Sequence, residues 1–470
     1  MEKKNSIYLL LISIVSAMGG LLFGYDWVVI GGAKIYYEPF FGIDSLAVLR
    51  GWAMSSALIG CLIGALASGR LSDIYGRKKM LIIASVLFTI SAYGTGAVDN
   101  FSWFIFYRIL GGLGIGVASN ISPIYIAEVA PASSRGKLVS LNQLTIVLGI
   151  LLAQIVNWLI GESYSVDNLA ITDSAINNAW RFMFWAELVP ALLFFMMSFI
   201  IPESPRWLVL KNEKIKAVKI FTKIGGEKYA VNAVKEIITA NASSSKDDSS
   251  LKQIFNIKYR KVLIIGIFLA VFQQWCGINV IFNYAHEIFS AAGYGVSDVL
   301  MNIVITGVTN LLFTFVAIFT VDKWGRRALM FTGSLGLAII YLLIGASYYN
   351  NISGWPMLML VVMAIACYAM SLAPVVWVVL SEIFPNKARG TFMALSTFFL
   401  WSACFILTYT FPILNESLGA SGTFWIYSLI CFMSFIFIKY QLPETKGKTL
   451  EQIEETLTNE ENLKSIEITE

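Results

Sequence analysis

Hydrophobic residues in this chain run in blocks of about 20, the length an α-helix needs to cross the hydrocarbon core of a bilayer. The blocks fall near 7–31, 50–69, 80–98, 101–126, 138–160 and 181–201, and again near 260–284, 298–320, 328–348, 355–380, 391–414 and 421–440. The pattern predicts twelve membrane-spanning helices with both termini on one side. Between the two sets the rhythm breaks. Residues 202–259 are rich in Lys, Asn and Ser, with helical periodicity at Ile215, Val218 and Phe221 and at Ala230, Val234 and Ile237. This stretch reads as a cytosolic helical insert that contains a flexible linker over 241–250. The expected organisation is a six-helix bundle over 1–201, a helical linker domain over 202–259, a second six-helix bundle over 260–441 and a cytosolic tail over 442–470. The tail is acidic, with Glu451, Glu454 and Glu455 in a short helical pattern.

Composition agrees with an all-α membrane protein, since 57% hydrophobic and only 14% charged residues in a chain of 470 exceed what a soluble fold can bury. The opening Met1-Glu2-Lys3-Lys4 imitates a secretory signal. Gly19, Gly20 and Asp26 interrupt the apolar run that follows, and no small-x-small cleavage site comes after it, so the block stands as the first span. Five cysteines lie within apolar segments without paired spacing, which predicts neither a disulfide framework nor a metal site. The net charge of +4 does not point to nucleic acid. All but Lys34, Arg50, Arg108 and Arg181 of the 34 basic residues fall on the side of the termini, which the positive-inside rule makes cytoplasmic.

Short sequences recur across the insert. Arg70-Leu71-Ser72-Asp73-Ile74-Tyr75-Gly76-Arg77 is echoed by Asp322-Lys323-Trp324-Gly325-Arg326-Arg327, Glu128 with Arg135 by Glu382 with Arg389, and Pro202-Glu203-Ser204-Pro205-Arg206 by Pro443-Glu444-Thr445-Lys446. Each copy follows the equivalent span on the same side, so the halves are parallel repeats of six helices.

Charges inside the spans carry the first functional signal. A carboxylate in a spanning helix costs roughly 2.5–3.5 kcal/mol, so Asp26 must be paired, protonated or facing a watery cavity. Two readings follow, a structural ion pair and a proton-binding site. Asp26 lies about 20 residues in from the start of span one; Arg108 and Glu187 lie about seven residues in from the starts of spans four and six, at similar heights. An Asp26–Arg108 pair is therefore sterically possible, with Glu187 a modulator of it.

The second signal is a set of amides. Gln273, Gln274 and Asn279 lie within six residues, close to two helical turns, and so on one arc of span seven. Amides donate and accept, as replacing the water around a neutral monosaccharide requires, while aromatic rings cover its C–H faces. Helix-to-helix hydrogen bonding explains such amides equally well. In span ten, Pro374 is expected to break the helix before Trp377. His286, the only histidine, reads as a solvated or locally bonded residue without a role.

The loop motifs, Pro202-Glu203-Ser204-Pro205-Arg206, Pro443-Glu444-Thr445-Lys446, Phe272-Gln273-Gln274-Trp275-Cys276-Gly277-Ile278-Asn279 and the duplicated halves together resemble the sugar porter branch of the major facilitator superfamily, essentially end to end. The nearest likeness is to bacterial proton-xylose symporters, with mammalian facilitative glucose transporters more distant. The resemblance implies the twelve-helix major facilitator fold, a monosaccharide as substrate, a proton as coupling ion, no cofactor and a monomer in the bilayer. It further implies proton coupling at Asp26, with Arg108 and Glu187 beside it, and sugar contacts at Phe23, Gln143, Gln273, Gln274, Asn279, Asn310, Trp377 and Trp401. Gating salt bridges are implied among Arg70, Asp73, Arg77, Glu128, Arg135, Glu203, Arg206, Glu382, Arg389 and Glu444. Leu400, Asn283 and Ala373 depart from the xylose pattern, and Ile150 and Phe282 look more like the glucose facilitators, so hexose and pentose both stand open.

The reading is thus of a bacterial inner-membrane proton–sugar symporter working by alternating access. A passive sugar facilitator differs from it by coupling alone. A sugar sensor would be expected to carry a signalling domain, which is not read here, and no phosphate-binding loop or nucleophile–base pair suggests an enzyme.

Overall fold

The computed structural model describes residues 6–131, 134–164, 172–243, 257–291, 293–384 and 389–446, which include helices but no strand. Helices α1 (Ser6–Phe41), α2 (Ala47–Tyr75), α3 (Arg77–Ala97), α4 (Phe101–Val129) and α5 (Arg135–Ser163) are followed by a sixth crossing split into α6 (Asp173–Ala186) and α7 (Leu188–Ser198). Then come three short helices, α8 (Pro205–Leu210), α9 (Lys214–Gly225) and α10 (Glu227–Ser243). The second set comprises α11 (Ile257–Trp275), α12 (Ile278–Asn283), α13 (Ala285–Ala291), α14 (Val296–Trp324), α15 (Arg326–Tyr349), α16 (Trp355–Met370), α17 (Leu372–Ile383) and α18 (Arg389–Gln441). Among the described residues, eleven helical segments are long and apolar enough to cross a membrane. The last makes two crossings, because Gly419 takes φ 69° and turns it back, which gives twelve. These are the twelve crossings expected from the hydrophobic blocks, in the major facilitator fold that the resemblance implies.

The chain divides into two compact units, Met1–Ser45 with Ala53–Ser245, and Leu46–Trp52 with Lys246–Glu470. In the first, α1 and α5 pack backbone to backbone: a methyl on Gly24 would collide with the Ile146 carbonyl, and one on Gly149 with that of Leu21. Lipid is as apolar as leucine, so helices in a bilayer gain by close approach of small residues rather than by hiding apolar surface. That packing fixes the acid of α1 relative to the amides of α5. The α9 core consists of Ala217, Phe221 and Ile224, with Ile215 exposed. The periodicity starting at Ile215 is therefore corrected, since the buried stripe lies one helical position round. Residues 244–250 of the expected linker and the acidic tail from 447 onward lie outside the described residues.

Candidate functional site

The charged side chains buried within the first unit include Asp26 on α1 (1% exposed), Arg108 on α4 (2%) and Glu187 at the joint between α6 and α7 (2%). Arg108 Nη1 makes an ion pair with Asp26 Oδ1, and Nη2 donates to the Asp26 carbonyl at 3.4 Å. The guanidinium also lies 5.5 Å from the Phe184 ring centre. Glu187 acts electrostatically on both partners. Burying either charge alone would cost several kcal/mol, and mutual attraction offsets that only while both are ionised. Neutralising the acid therefore releases the arginine. Asp26 Oδ2 has no hydrogen-bond partner, so half of the carboxylate remains unengaged. One helical turn before the acid, the half-buried Phe23 ring stands edge-on to Trp27 with centroids 6.2 Å apart. Gln143 is half-buried on α5, beside Asn142, whose carbonyl lies against Gly20 of α1.

The second unit gathers amides where two helices break. Span seven is not the continuous arc that the spacing suggested: it stops at Trp275 and restarts at Ile278, because Gly277 takes φ 84°. A side chain there would be strained, and its Cβ would lie 2.8 Å from Tyr427 Cγ. Across the break the amides still meet. Asn279 Nδ2 donates to Gln274 Oε1 at 2.5 Å, Gln274 Nε2 to Gln273 Oε1 at 3.4 Å, and Gln273 Nε2 to the carbonyls of Leu372 at 3.3 Å and Ala373 at 3.1 Å. Those carbonyls belong to the start of α17. The break in span ten falls at Ser371 (φ −127°, ψ −87°) rather than at Pro374, which sits within the first turn of α17. A proline removes the hydrogen bond to the carbonyl four residues earlier, so its effect appears one turn upstream. Asn310 is buried on α14, Trp401 is buried on α18, and Trp377 on α17 is 37% exposed. His286 lies 3.4 Å from Ser290 Oγ, a local contact.

Buried acid against arginine in one unit and an amide chain between broken helices in the other suit a carrier of a neutral polyhydroxylated solute. Sequence comparison agrees: the family described as "Sugar (and other) transporter" matches residues 12–457. The chain belongs to this sugar transporter family. It is 40% identical to the D-xylose-proton symporter of Escherichia coli, over 96% of both chains. It is 38% identical to the arabinose-proton symporter of Bacillus subtilis, over 95% of this chain and 94% of that one. It is also 40% identical to the glucose transport protein of Synechocystis, over 96% and 97%. Among solved structures, the E. coli xylose transporter XylE in a partially occluded inward-open conformation superposes with TM-score 0.83 and 38% identity, covering 94% of this chain and 99% of that one.

This sugar transporter carries a charge network at the end of each unit nearer the termini, and the two are near copies. In the first, Arg77 pairs with Asp73 and with Glu128 at 3.0 Å each, and Ser204 Oγ donates to Glu128 at 2.5 Å. Glu203 accepts the backbone N–H groups of Arg77 at 2.8 Å and Lys78 at 3.1 Å, capping α3. In the second, Arg326 pairs with Glu382 at 3.0 Å, Thr445 Oγ1 donates to Glu382 at 2.6 Å, and Glu444 accepts the N–H groups of Arg326 at 3.0 Å and Arg327 at 3.1 Å. Arg326, Ser204 and Thr445 were not among the expected gating residues, although the motif echoes contain all three. Arg70 and Arg206 are exposed and, among the described residues, make no ion pair. The side chains of Arg135 and Arg389 lie outside the described residues.

Proposed function

We propose that this protein imports a monosaccharide, a hexose or pentose, together with a proton by alternating access across a bacterial inner membrane, its termini cytoplasmic and the monomer its working unit. The observation that carries the reading is the Asp26–Arg108 pair, a buried acid and base in spanning helices. Protonation of Asp26 from outside removes the charge that holds Arg108, with Glu187 as the nearby alternative counter-charge. Sugar then replaces the mutual bonds of Gln273, Gln274 and Asn279, which already donate and accept among themselves. Phe23, Gln143, Asn310, Trp377 and Trp401 complete the proposed contacts. The names of the relatives, symporters for xylose and arabinose, support the coupling and the substrate class.

Each charge crossing a 100 mV potential contributes roughly 2.3 kcal/mol, enough to accumulate a neutral solute about 50-fold. The charged networks about Glu128 and Glu382 are proposed as the parts of a cytoplasmic latch that is remade each cycle. The deciding experiment is sugar-driven alkalinisation of the medium around de-energised cells. Alkalinisation with one of glucose, xylose, arabinose, galactose or fucose is the expected result; sugar entry without it makes the protein a passive facilitator.

A further inference from the structure

The pair in the first unit leaves one carboxylate oxygen, Asp26 Oδ2, buried without a partner, and the surroundings of that atom lead in one direction. A methyl group on Gly111 of α4 would lie 2.7 Å from Asp26 Oδ2 and closer still to Ser91 Oγ on α3. The two oxygens are therefore no more than about 5 Å apart, the span of one bridging water. Ser91 donates its proton to the Tyr107 carbonyl of α4 at 2.9 Å, which leaves its oxygen lone pairs directed elsewhere. Thr95 follows one turn further along α3, fully buried, with no partner for its Oγ1.

This behaviour sets the two residues apart from the other hydroxyls of the same helix. Ser85 and Thr89 turn back onto their own helix, donating to the carbonyls of Ile82 at 2.7 Å and Ser85 at 2.8 Å. That back-bond is the default for a helical hydroxyl in an apolar setting. Ser91 and Thr95 decline it. Four residues beyond Thr95, Asp99 stands past the helix end with its side chain 84% exposed, held at 2.5 Å by Arg181. Arg181 also donates to the carbonyls of Gly96 at 2.9 Å and Val98 at 3.0 Å, so the last turn of α3 is fixed.

We infer that Ser91 and Thr95 line the proton route to Asp26, running along α3 from Asp99 at the surface opposite the termini to the unengaged oxygen of the buried carboxylate. Ser91 and Thr95, four apart on the helix, lie about 5–6 Å apart at Cβ, so one water spans that step of the file. A proton enters at Asp99, passes from water to water with the hydroxyls accepting and donating in turn, and ends on Asp26 Oδ2. At each step one O–H bond forms as another breaks, Ser91 releasing its hydrogen bond to the Tyr107 carbonyl as it passes a proton on, so the net change is one proton gained by Asp26. The charged groups facing the file are Asp26 from α1, Arg108 from α4, and Arg181 and Glu187 from the α6–α7 crossing. The positive ones keep metal cations out of the file.

This inference rests on the proton-symport reading above, and its test separates the two. In proteoliposomes, Thr95→Val removes the hydroxyl while keeping the shape. Its sugar counterflow, which requires no net proton movement, should stay within twofold of the unaltered protein. Its proton-driven uptake and sugar-driven alkalinisation should fall at least tenfold, most at alkaline external pH where protons are scarce. Ser91→Ala should act likewise, and Thr95→Ser should restore coupling. Equal losses in counterflow and uptake, or undiminished uptake in both variants, would overturn the route while leaving symport intact. An unaltered protein that counterflows sugar without alkalinisation would overturn both.

Discussion

Arg108 holds Asp26 through one carboxylate oxygen only, and the second oxygen of that acid is buried without a partner. A pair built purely for stability gains most when both oxygens are satisfied, as in the bidentate arrangement that arginine favours. Here the geometry leaves a place for a proton. Asp26→Asn should therefore abolish uphill accumulation, from about 50-fold at 100 mV to equality across the membrane, while counterflow continues. Uptake of labelled sugar into energised vesicles reads the first and exchange in proteoliposomes the second. Accumulation that survives the substitution would remove Asp26 from the coupling mechanism.

The partner residue behaves differently. Arg108→Gln strands the carboxyl in an apolar interior, at about 3–5 kcal/mol for breaking a buried pair from one side. The folded fraction on size-exclusion chromatography should drop sharply. Adding Asp26→Asn in the same chain should recover most of it, because no lone charge is then buried. A double variant no better folded than the single one would mean that Arg108 acts through packing on Phe184 instead.

In the second unit the amides are bonded to one another, so removing one leaves its neighbour unsatisfied as well as deleting a proposed sugar contact. Gln274→Leu orphans Gln273 Oε1 and leaves Asn279 Nδ2 only the Cys404 sulfur at 3.3 Å. Losses of about 1–3 kcal/mol for such groups correspond to sugar binding roughly 5- to 150-fold weaker. Half-saturation in counterflow measures this, with Asp26-dependent alkalinisation per sugar transported unchanged.

Gly277 makes the amide chain possible by taking a left-handed conformation against the Tyr427 ring. Gly277→Ala should cost about 1–2 kcal/mol in backbone strain, besides pressing on Tyr427. The melting temperature in detergent should fall, and sugar affinity with it. Full affinity with unchanged melting would show that the break does not organise the site.

In the charge network of the second unit, Glu382 takes both Arg326 and the Thr445 hydroxyl. Reversing its charge with Glu382→Lys should place two cations together and raise the inward-open population. Cysteine probes introduced on the cytoplasmic side should then label faster. Labelling at the original rate would argue against a latch.

Much of this was legible in the chain as written. Blocks of about 20 apolar residues dictate spanning helices because a backbone in lipid must bond to itself, whatever its neighbours are. The acid of span one, the amides of span seven and the duplicated loop motifs were visible for the same reason: each stands against an apolar background where a polar group is costly. Local sequence thus set the twelve crossings, the repeat and the identity of the candidate groups.

What it did not set was which oxygen is satisfied and where a helix breaks. Gly277 and Ser371 interrupt spans that hydrophobicity alone reads as continuous, because tertiary packing, with Tyr427 against the first, selects among backbone states that lie close in energy. Nor does any pattern in α3 distinguish Ser91 and Thr95 from Ser85 and Thr89. All four are small hydroxyls in one apolar helix; the carbonyl of Tyr107 and the carboxylate of Asp26, brought in from other helices, give Ser91 something to face, while Thr95 Oγ1 is buried without a partner. Sequence fixes which groups must find partners; the fold decides which partner each receives, because the groups that meet lie tens of residues apart along the chain.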